Sequence, residues 1–149
     1  MINDLERPVA RIAGTGHASG SRILTNADLA KMVDTSDEWI TTRTGIKERR
    51  IVEDGTVTSD LCFIASEQAL EDAGIGAHEL DYIIIGTVTG DVKFPATANI
   101  VQSKLKAYNA TTFDISAACS SWVYGLELAD SLIRAGRADR ILVIGAEVL

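Results

Sequence analysis

Phe113-Asp114-Ile115-Ser116-Ala117-Ala118-Cys119-Ser120-Ser121-Trp122 reads as a short apolar strand that turns through small residues into a helix, and that helix is predicted to run to about Arg134. Upstream, Tyr82-Ile83-Ile84-Ile85 is a continuous apolar run, and downstream Ile141-Leu142-Val143-Ile144 is another. Unbroken runs of this kind, without polar alternation, belong to strands buried on both faces. Strands alternating with helices imply crossover connections, so the fold class is α/β, a mainly parallel sheet with helices on both faces.

The other elements follow from local signals. Val9 to Ala13 has the composition of a strand. Thr25 or Asn26 can cap a helix to about Val33, and Thr35-Ser36-Asp37-Glu38 has the T-x-x-E form of a capping box for the next helix. A helix is expected from about Ser59 to Ala73, with Leu61, Ile64, Ala65, Ala69 and Leu70 on its apolar side and Gly74 as its stop. Another begins near Pro95 or Ala96, where a first-turn proline loses nothing, and ends around Leu105. Thr112 to Ile115 is the strand that leads to Cys119. Gly14, Gly16 and Gly20 do not form a dinucleotide loop, because the third glycine falls one position late and no helix opens directly behind it.

Cys119 is placed as a nucleophile. A thiol at the first turn of a helix meets unpaired backbone N–H groups and the positive end of the helix dipole, which favour thiolate. The alternative is a buried structural cysteine, a common fate of free Cys. Cys62 falls inside a predicted helix and reads as core. Without an export signal, the two cysteines are expected as free thiols.

The 149 residues are 46% hydrophobic and 23% charged, which suits one folded globular unit, taken here as a single domain over 1–149. A net charge of -7 argues against general nucleic-acid binding, which needs a basic face. The opening Met-Ile-Asn-Asp-Leu-Glu-Arg-Pro has no cationic and apolar leader pattern, and no stretch is apolar enough to span a bilayer. The expectation is a cytoplasmic protein without membrane or metal.

Trp39 and Arg43 stand four residues apart, on one face of a helix. An indole and a guanidinium so placed can grip a planar base such as adenine between them. Lys47, Arg49 and Arg50 add positive charge suited to phosphates or to an acidic carrier protein. A solvated turn beside a surface tryptophan is the competing reading.

The chain as a whole resembles β-ketoacyl-acyl-carrier-protein synthase III, a thiolase-like family. The matching words are Thr25-Asn26-Ala27-Asp28-Leu29, Val33 through Ile40, Thr42-Arg43-Thr44-Gly45-Ile46, Phe94-Pro95-Ala96 and Asp114 through Cys119. The segment around Trp39 is specific to this family, whereas the Cys119 segment is shared more widely among thiolase-like enzymes. The resemblance implies the N-terminal half of a two-half fold. It further implies that Cys119 accepts an acyl group from an acyl-CoA primer such as acetyl-CoA and condenses it with malonyl-acyl-carrier protein to initiate fatty-acid synthesis. Coenzyme A is then substrate, with no resident cofactor, and acyl carrier protein and a second subunit in a homodimer are the implied partners.

By the same resemblance, Thr35, Trp39 and Arg43 bind the CoA nucleotide, the Cys119 N–H forms half of an oxyanion hole, Phe94 closes the neighbour's acyl pocket and Leu149 lines a pocket. The family's catalytic His and Asn belong to a second half. His17 and His78 match neither and read as loop and surface residues. The end at Leu149, just beyond a buried strand, reads as a cut, and the isolated piece is expected to aggregate or associate. Ser121-Trp122 stands where Gly-Phe is usual, and Gly90 where Ser is common. A related thiolase-like acyltransferase or condensing enzyme, a non-catalytic acyl-CoA-binding fragment or subunit of a split complex, and an inert truncated product are the alternatives.

Overall fold

A computed structural model describes residues 9–149, which excludes the opening octapeptide read above for a leader. The chain divides into two compact units, one formed by Ser19–Thr56 and the other by the stretch ending at Ala18 together with Val57–Leu149.

The larger unit is organised by a three-stranded parallel sheet in which β3 (Tyr82–Gly86) lies between β4 (Thr111–Ile115) and β5 (Ile141–Gly145). Tyr82 aligns with Thr111 and Ile141, and Gly86 with Ile115 and Gly145, so all three strands end level. Ile83, Ile84 and Ile85 are fully buried, as the apolar run requires. Removing each from water contributes roughly 1.5–3 kcal/mol. Strand alternation sends Ile83 and Ile85, with Leu142 and Ile144, into a core shared with Cys62, Leu70, Ala98 and Val101 from α3 (Thr58–Ala73) and α4 (Thr97–Leu105). Ile84, Val143 and Ile115 turn to the other face, where Gly125 brings α5 (Ser121–Arg134) close. Helices therefore cover both faces, as expected.

α3 stops at Gly74, whose φ of 68° suits glycine. Its buried stripe differs from the expected one. Thr58, Ser59, Cys62, Ser66 and Leu70 face inward, while Ile64 is exposed. Small and hydroxyl side chains let α3 pack on α4, and they find partners there: Ser66 Oγ donates to the Cys62 carbonyl (2.6 Å), and Lys104 of α4 reaches Ser59 Oγ (2.8 Å) and Asp60 (2.6 Å). α4 begins after Pro95, not at it, because its first N–H groups are taken by Asp114: Thr97 N and Ala98 N donate to the carboxylate at 2.7 and 2.9 Å.

Val9–Ala13 forms no strand. Ala10 N–H donates to Asp130 at 3.2 Å, and in the following loop Thr15 and His17 N–H donate to Asp72 and Gln68 of α3. Gly14 and Gly16 lie flush on α3, since a Cβ at Gly16 would come within 2.0 Å of the Ala65 carbonyl oxygen.

The smaller unit holds a β ribbon that the sequence reading missed. β1 (Arg22–Thr25) pairs antiparallel with β2 (Glu48–Ile51). α1 covers only Asn26–Leu29, ending short of Val33, and opens with a Thr25–Asp28 capping box. α2 (Asp37–Thr44) is capped by Ser36, whose Oγ accepts from Trp39 N at 3.1 Å, so Thr35 is not the cap. Asn26, 1% exposed, knots the unit together: its amide donates to Asp37 (2.7 Å), Thr41 (3.3 Å) and the Ile46 carbonyl (2.8 Å), and its oxygen accepts from Arg49.

Among the described residues, no helix is long and apolar enough to cross a membrane. α5 mixes apolar residues with Glu127, Asp130, Ser131 and Arg134, and Trp122, Val123, Tyr124 and Leu128 are exposed on it.

Candidate active site

The C-terminal ends of parallel strands are where open α/β sheets bind ligands, and this sheet delivers a thiol there. Four residues beyond β4, a 3₁₀ turn over Ala118–Ser120 carries Cys119, which is exposed, unlike the alternative of a buried cysteine. Ala118 sits at φ 48°, in the left-handed region that costs a non-glycine residue about 1–3 kcal/mol. Strain of that kind persists only where neighbours hold it. Two glycines make room for the neighbours: a Cβ at Gly86 would lie 2.5 Å from Ser121 Cβ, and one at Gly145 would lie 3.1 Å from Trp122 Cβ. The first turn of α5 thus rests directly on the ends of β3 and β5. Ser120 supplies no side-chain cap to α5, and the Ser120 and Ser121 N–H groups donate to the Ala117 and Ala118 carbonyls, so Cys119 lies in the 3₁₀ turn leading into the helix and not in the helix's own first turn, where the sequence reading expected it.

Cys62 is the opposite case. It is fully buried, and burial first, then the Asp91 and Asp114 carboxylates, push its thiol up to about 12. It stays protonated and inert at neutral pH.

Beside Cys119's strand the Thr87–Lys93 loop, with Asp114 and Ser116, walls an open groove of about 500 Å³. Glu147 ties this loop to β5: its carboxylate accepts from Val88 N (3.0 Å) and from the hydroxyls of Thr87 and Thr89. Asp91 accepts from Ser59 N at 2.9 Å and anchors the far end. Phe94 is 89% exposed and does not line the groove, nor does Leu149, which is also fully exposed. No closed acyl pocket is formed by these two among the described residues. A second open groove, of about 510 Å³ and edged by Phe63, Glu67, Lys104 and Leu105, carries no nucleophile.

Trp39, Arg43 and Thr35 all lie in the Ser19–Thr56 unit. α2 does bring Trp39 and Arg43 together, but the guanidinium lies 4.4 Å from the indole centroid, stacked on the ring with no space for a base between them. Trp39 is half exposed, so its other face is available. Thr35 is half-buried, just before the Ser36 cap. The basic cluster is partly consumed by structure: Arg49 serves Asn26 and Arg50 pairs with Glu48 at 3.1 Å, whereas Arg43 and Lys47 have no ion pair among the described residues.

His17 is exposed in the stretch against α3. His78 is exposed in a 3₁₀ turn just before β3, at the opposite end of the sheet from Cys119. No group of three or more His, Cys, Asp or Glu among the described residues is arranged to hold a metal.

Sequence reasoning missed the parts played by Asn26, Ser121 and Glu147. Only Ser121 carried a signal, as a serine where glycine is usual. Its Oγ accepts from Ala117 N at 2.8 Å.

Comparison with known proteins agrees with this architecture. The family profile described as 3-Oxoacyl-[acyl-carrier-protein (ACP)] synthase III matches residues 113–149. A β-ketoacyl-[acyl-carrier-protein] synthase III of Caldanaerobacter subterraneus is 56% identical over 144 residues, 97% of this chain and 44% of the relative. The crystal structure of 3-oxoacyl-[acyl-carrier-protein] synthase III from Aquifex aeolicus superposes with a TM-score of 0.90 at 52% identity, covering 93% of this chain and 45% of that one. The priming β-ketosynthase of the R1128 polyketide pathway superposes at 0.85 with 34% identity, covering 89% and 40%. Sequence, sheet topology and superposition converge: the chain is a thiolase-like half-fold similar to β-ketoacyl-acyl-carrier-protein synthase III, and it spans less than half the length of the relatives it matches.

Proposed function

We propose that this chain is the acyl-accepting half of a 3-oxoacyl-acyl-carrier-protein synthase III. The observation that carries the reading is an exposed cysteine on a strained turn at the C-terminal edge of the parallel sheet. The Cys119 thiolate attacks the carbonyl carbon of an acyl-CoA, acetyl-CoA in the simplest case. A new C–S bond forms, the bond to the CoA sulfur breaks, and the departing thiolate takes up a proton. The backbone N–H of Cys119, in the 3₁₀ turn that precedes α5, stabilises the oxyanion formed on the way. Trp39, through its open face, and Arg43 hold the nucleotide of CoA, with Thr35 near it.

In the second half-reaction, malonyl-acyl-carrier protein loses CO₂. The electron pair of the broken C–C bond attacks the acyl-Cys119 carbonyl, a 3-ketoacyl product leaves, and the thiolate is regenerated. Neither His17 nor His78 is suited to steady that carbanion, one lying against α3 and the other at the wrong end of the sheet. Condensation therefore draws on groups supplied by a second half, and a homodimer with Phe94 at its interface is the form proposed for the whole enzyme. The exposed apolar residues of α5 favour a second reading, in which the chain is one subunit of a split complex.

Intact-mass analysis of the 149-residue chain after incubation with acetyl-CoA tests the first step. The expected result is one acetyl group mapped to Cys119 and none on Cys119→Ala. Acetylation of the alanine variant, or a folded wild-type chain that takes none, overturns it.

A further inference from the structure

The turn that carries Cys119 is held by a side chain that a glycine at the same place could not provide. Ala118, next to the cysteine, sits at φ 48°. Ser120 N donates to the Ala117 carbonyl at 3.1 Å, which closes the 3₁₀ turn from one side. From the other side Ser121 Oγ accepts the Ala117 N–H at 2.8 Å, so both polar groups of Ala117 are tied to residues just past the thiol. Ser121 is itself fixed: it is 2% exposed and packed against the Cα of Gly86. The loop's geometry is therefore referred back, through one hydroxyl, to the end of the central strand.

We propose that Ser121 is a positioning residue for the Cys119 nucleophile: by accepting the Ala117 amide, its hydroxyl holds the strained Ala117–Ser121 turn in the orientation that aims the thiol and its own N–H at one carbonyl. This rests on Cys119 being the group that is acylated. Attack on a thioester needs two aligned elements, the sulfur at the carbonyl carbon and an N–H at the oxygen that becomes negative. Alkylation by iodoacetamide needs only an accessible thiolate, since sulfur displaces iodide at a saturated carbon. A loosened turn separates the two chemistries, whereas a general loss of structure changes both.

The test uses the full chain and S-acetyl-N-acetylcysteamine, a thioester without a nucleotide, so the outcome is independent of Trp39 and Arg43. Acetyl transfer moves the acyl group to Cys119 Sγ and releases N-acetylcysteamine. Ser121→Ala is expected to slow acetylation by about tenfold or more, the scale of a small misalignment, with iodoacetamide alkylation changed less than about threefold. Ala118→Gly relaxes the backbone constraint, so the Ser121→Ala effect is expected to shrink in that background. Amide hydrogen exchange gives a second arm: Ala117 N–H is protected in the wild type and loses that protection in Ser121→Ala, while the β3 amides do not.

Wild-type acetylation in Ser121→Ala overturns the proposal, as does a parallel fall in acetylation and alkylation. Unchanged exchange at Ala117 overturns the clamp itself. If the wild-type chain takes no acetyl group from this thioester, the acyl-enzyme reading fails separately, and the exchange arm decides whether Ser121 holds the turn.

Discussion

The Arg43 guanidinium lies over the Trp39 indole, 4.4 Å from its centroid, so one face of the ring is spoken for before any ligand arrives. A base can stack on the open face, or it can displace the guanidinium and take its place. Either way the indole supplies the surface. Trp39→Ala is expected to weaken CoA binding roughly five- to thirtyfold, the equivalent of about 1–2 kcal/mol, with Cys119 alkylation unchanged. Titration calorimetry with CoA measures the first and iodoacetamide kinetics the second. An unaffected affinity removes Trp39 from the site.

Gly86 is the closest approach of the sheet to Ser121, just past the turn that carries Cys119. Gly86→Ala puts a methyl group 2.5 Å from Ser121 Cβ, and neither β3 nor α5 can yield without moving the other. Overpacking of this kind costs about 1–3 kcal/mol. The expected outcome is a lower Tm together with a disproportionate loss of Cys119 acetylation, read by calorimetry and mass spectrometry on the same samples.

How much of this was legible in the residues depends on burial. Ile83 to Ile85 and Ile141 to Ile144 announce themselves because a strand covered on both faces has no polar positions to obscure it. Arg22–Thr25 and Glu48–Ile51 pair in the open, where Arg and Glu are as acceptable as Val, and no apolar pattern marks them. Val9–Ala13 has strand composition, but its polar contacts run to side chains, and composition does not say where a backbone finds its partners. In the site, Cys119 could be read from its place between strand and helix. The Ser121 clamp could not be read, because a hydroxyl's acceptor role depends on an angle that spacing alone does not specify. Nor did the Trp39 to Arg43 spacing distinguish a pair that grips a base from one that stacks on itself.

The buried Cys62 thiol should make stability depend on pH at the alkaline end. Burial and neighbouring carboxylates hold Cys62 up to about 12 against an ordinary 9.0, so the folded chain retains a proton that the unfolded chain releases. Stability is therefore expected to fall as pH rises from about 9 toward 12. Asp28 acts at the other end: hydrogen bonds from Lys31 and then Thr25 lower it from 3.8 to about 2, and its contribution fades as pH falls through that interval. Urea titrations across pH measure both. Cys62→Ala should flatten the alkaline limb, and Asp28→Asn the acidic one.

The exposed apolar residues of α5 predict association. Trp122, Val123 and Tyr124 stand together on one helix with no covering layer among the described residues. Sedimentation at tens of micromolar is expected to give species heavier than a monomer, and Val123→Lys is expected to shift them toward monomer. A wild-type chain that sediments as a compact monomer contradicts this.

The chain leaves its sheet-bearing unit after Ala18 and returns to it at Val57, having built the Ser19–Thr56 unit in between. Every residue assigned to the nucleotide lies in that excursion, and the thiol with its supporting glycines lies outside it. On the proposed assignment, choice of carrier and making of the bond are written in separable passages of the polypeptide. On that assignment, a lineage could revise which thioester handle it accepts by editing the excursion alone, while the chemistry at the strand ends stays untouched.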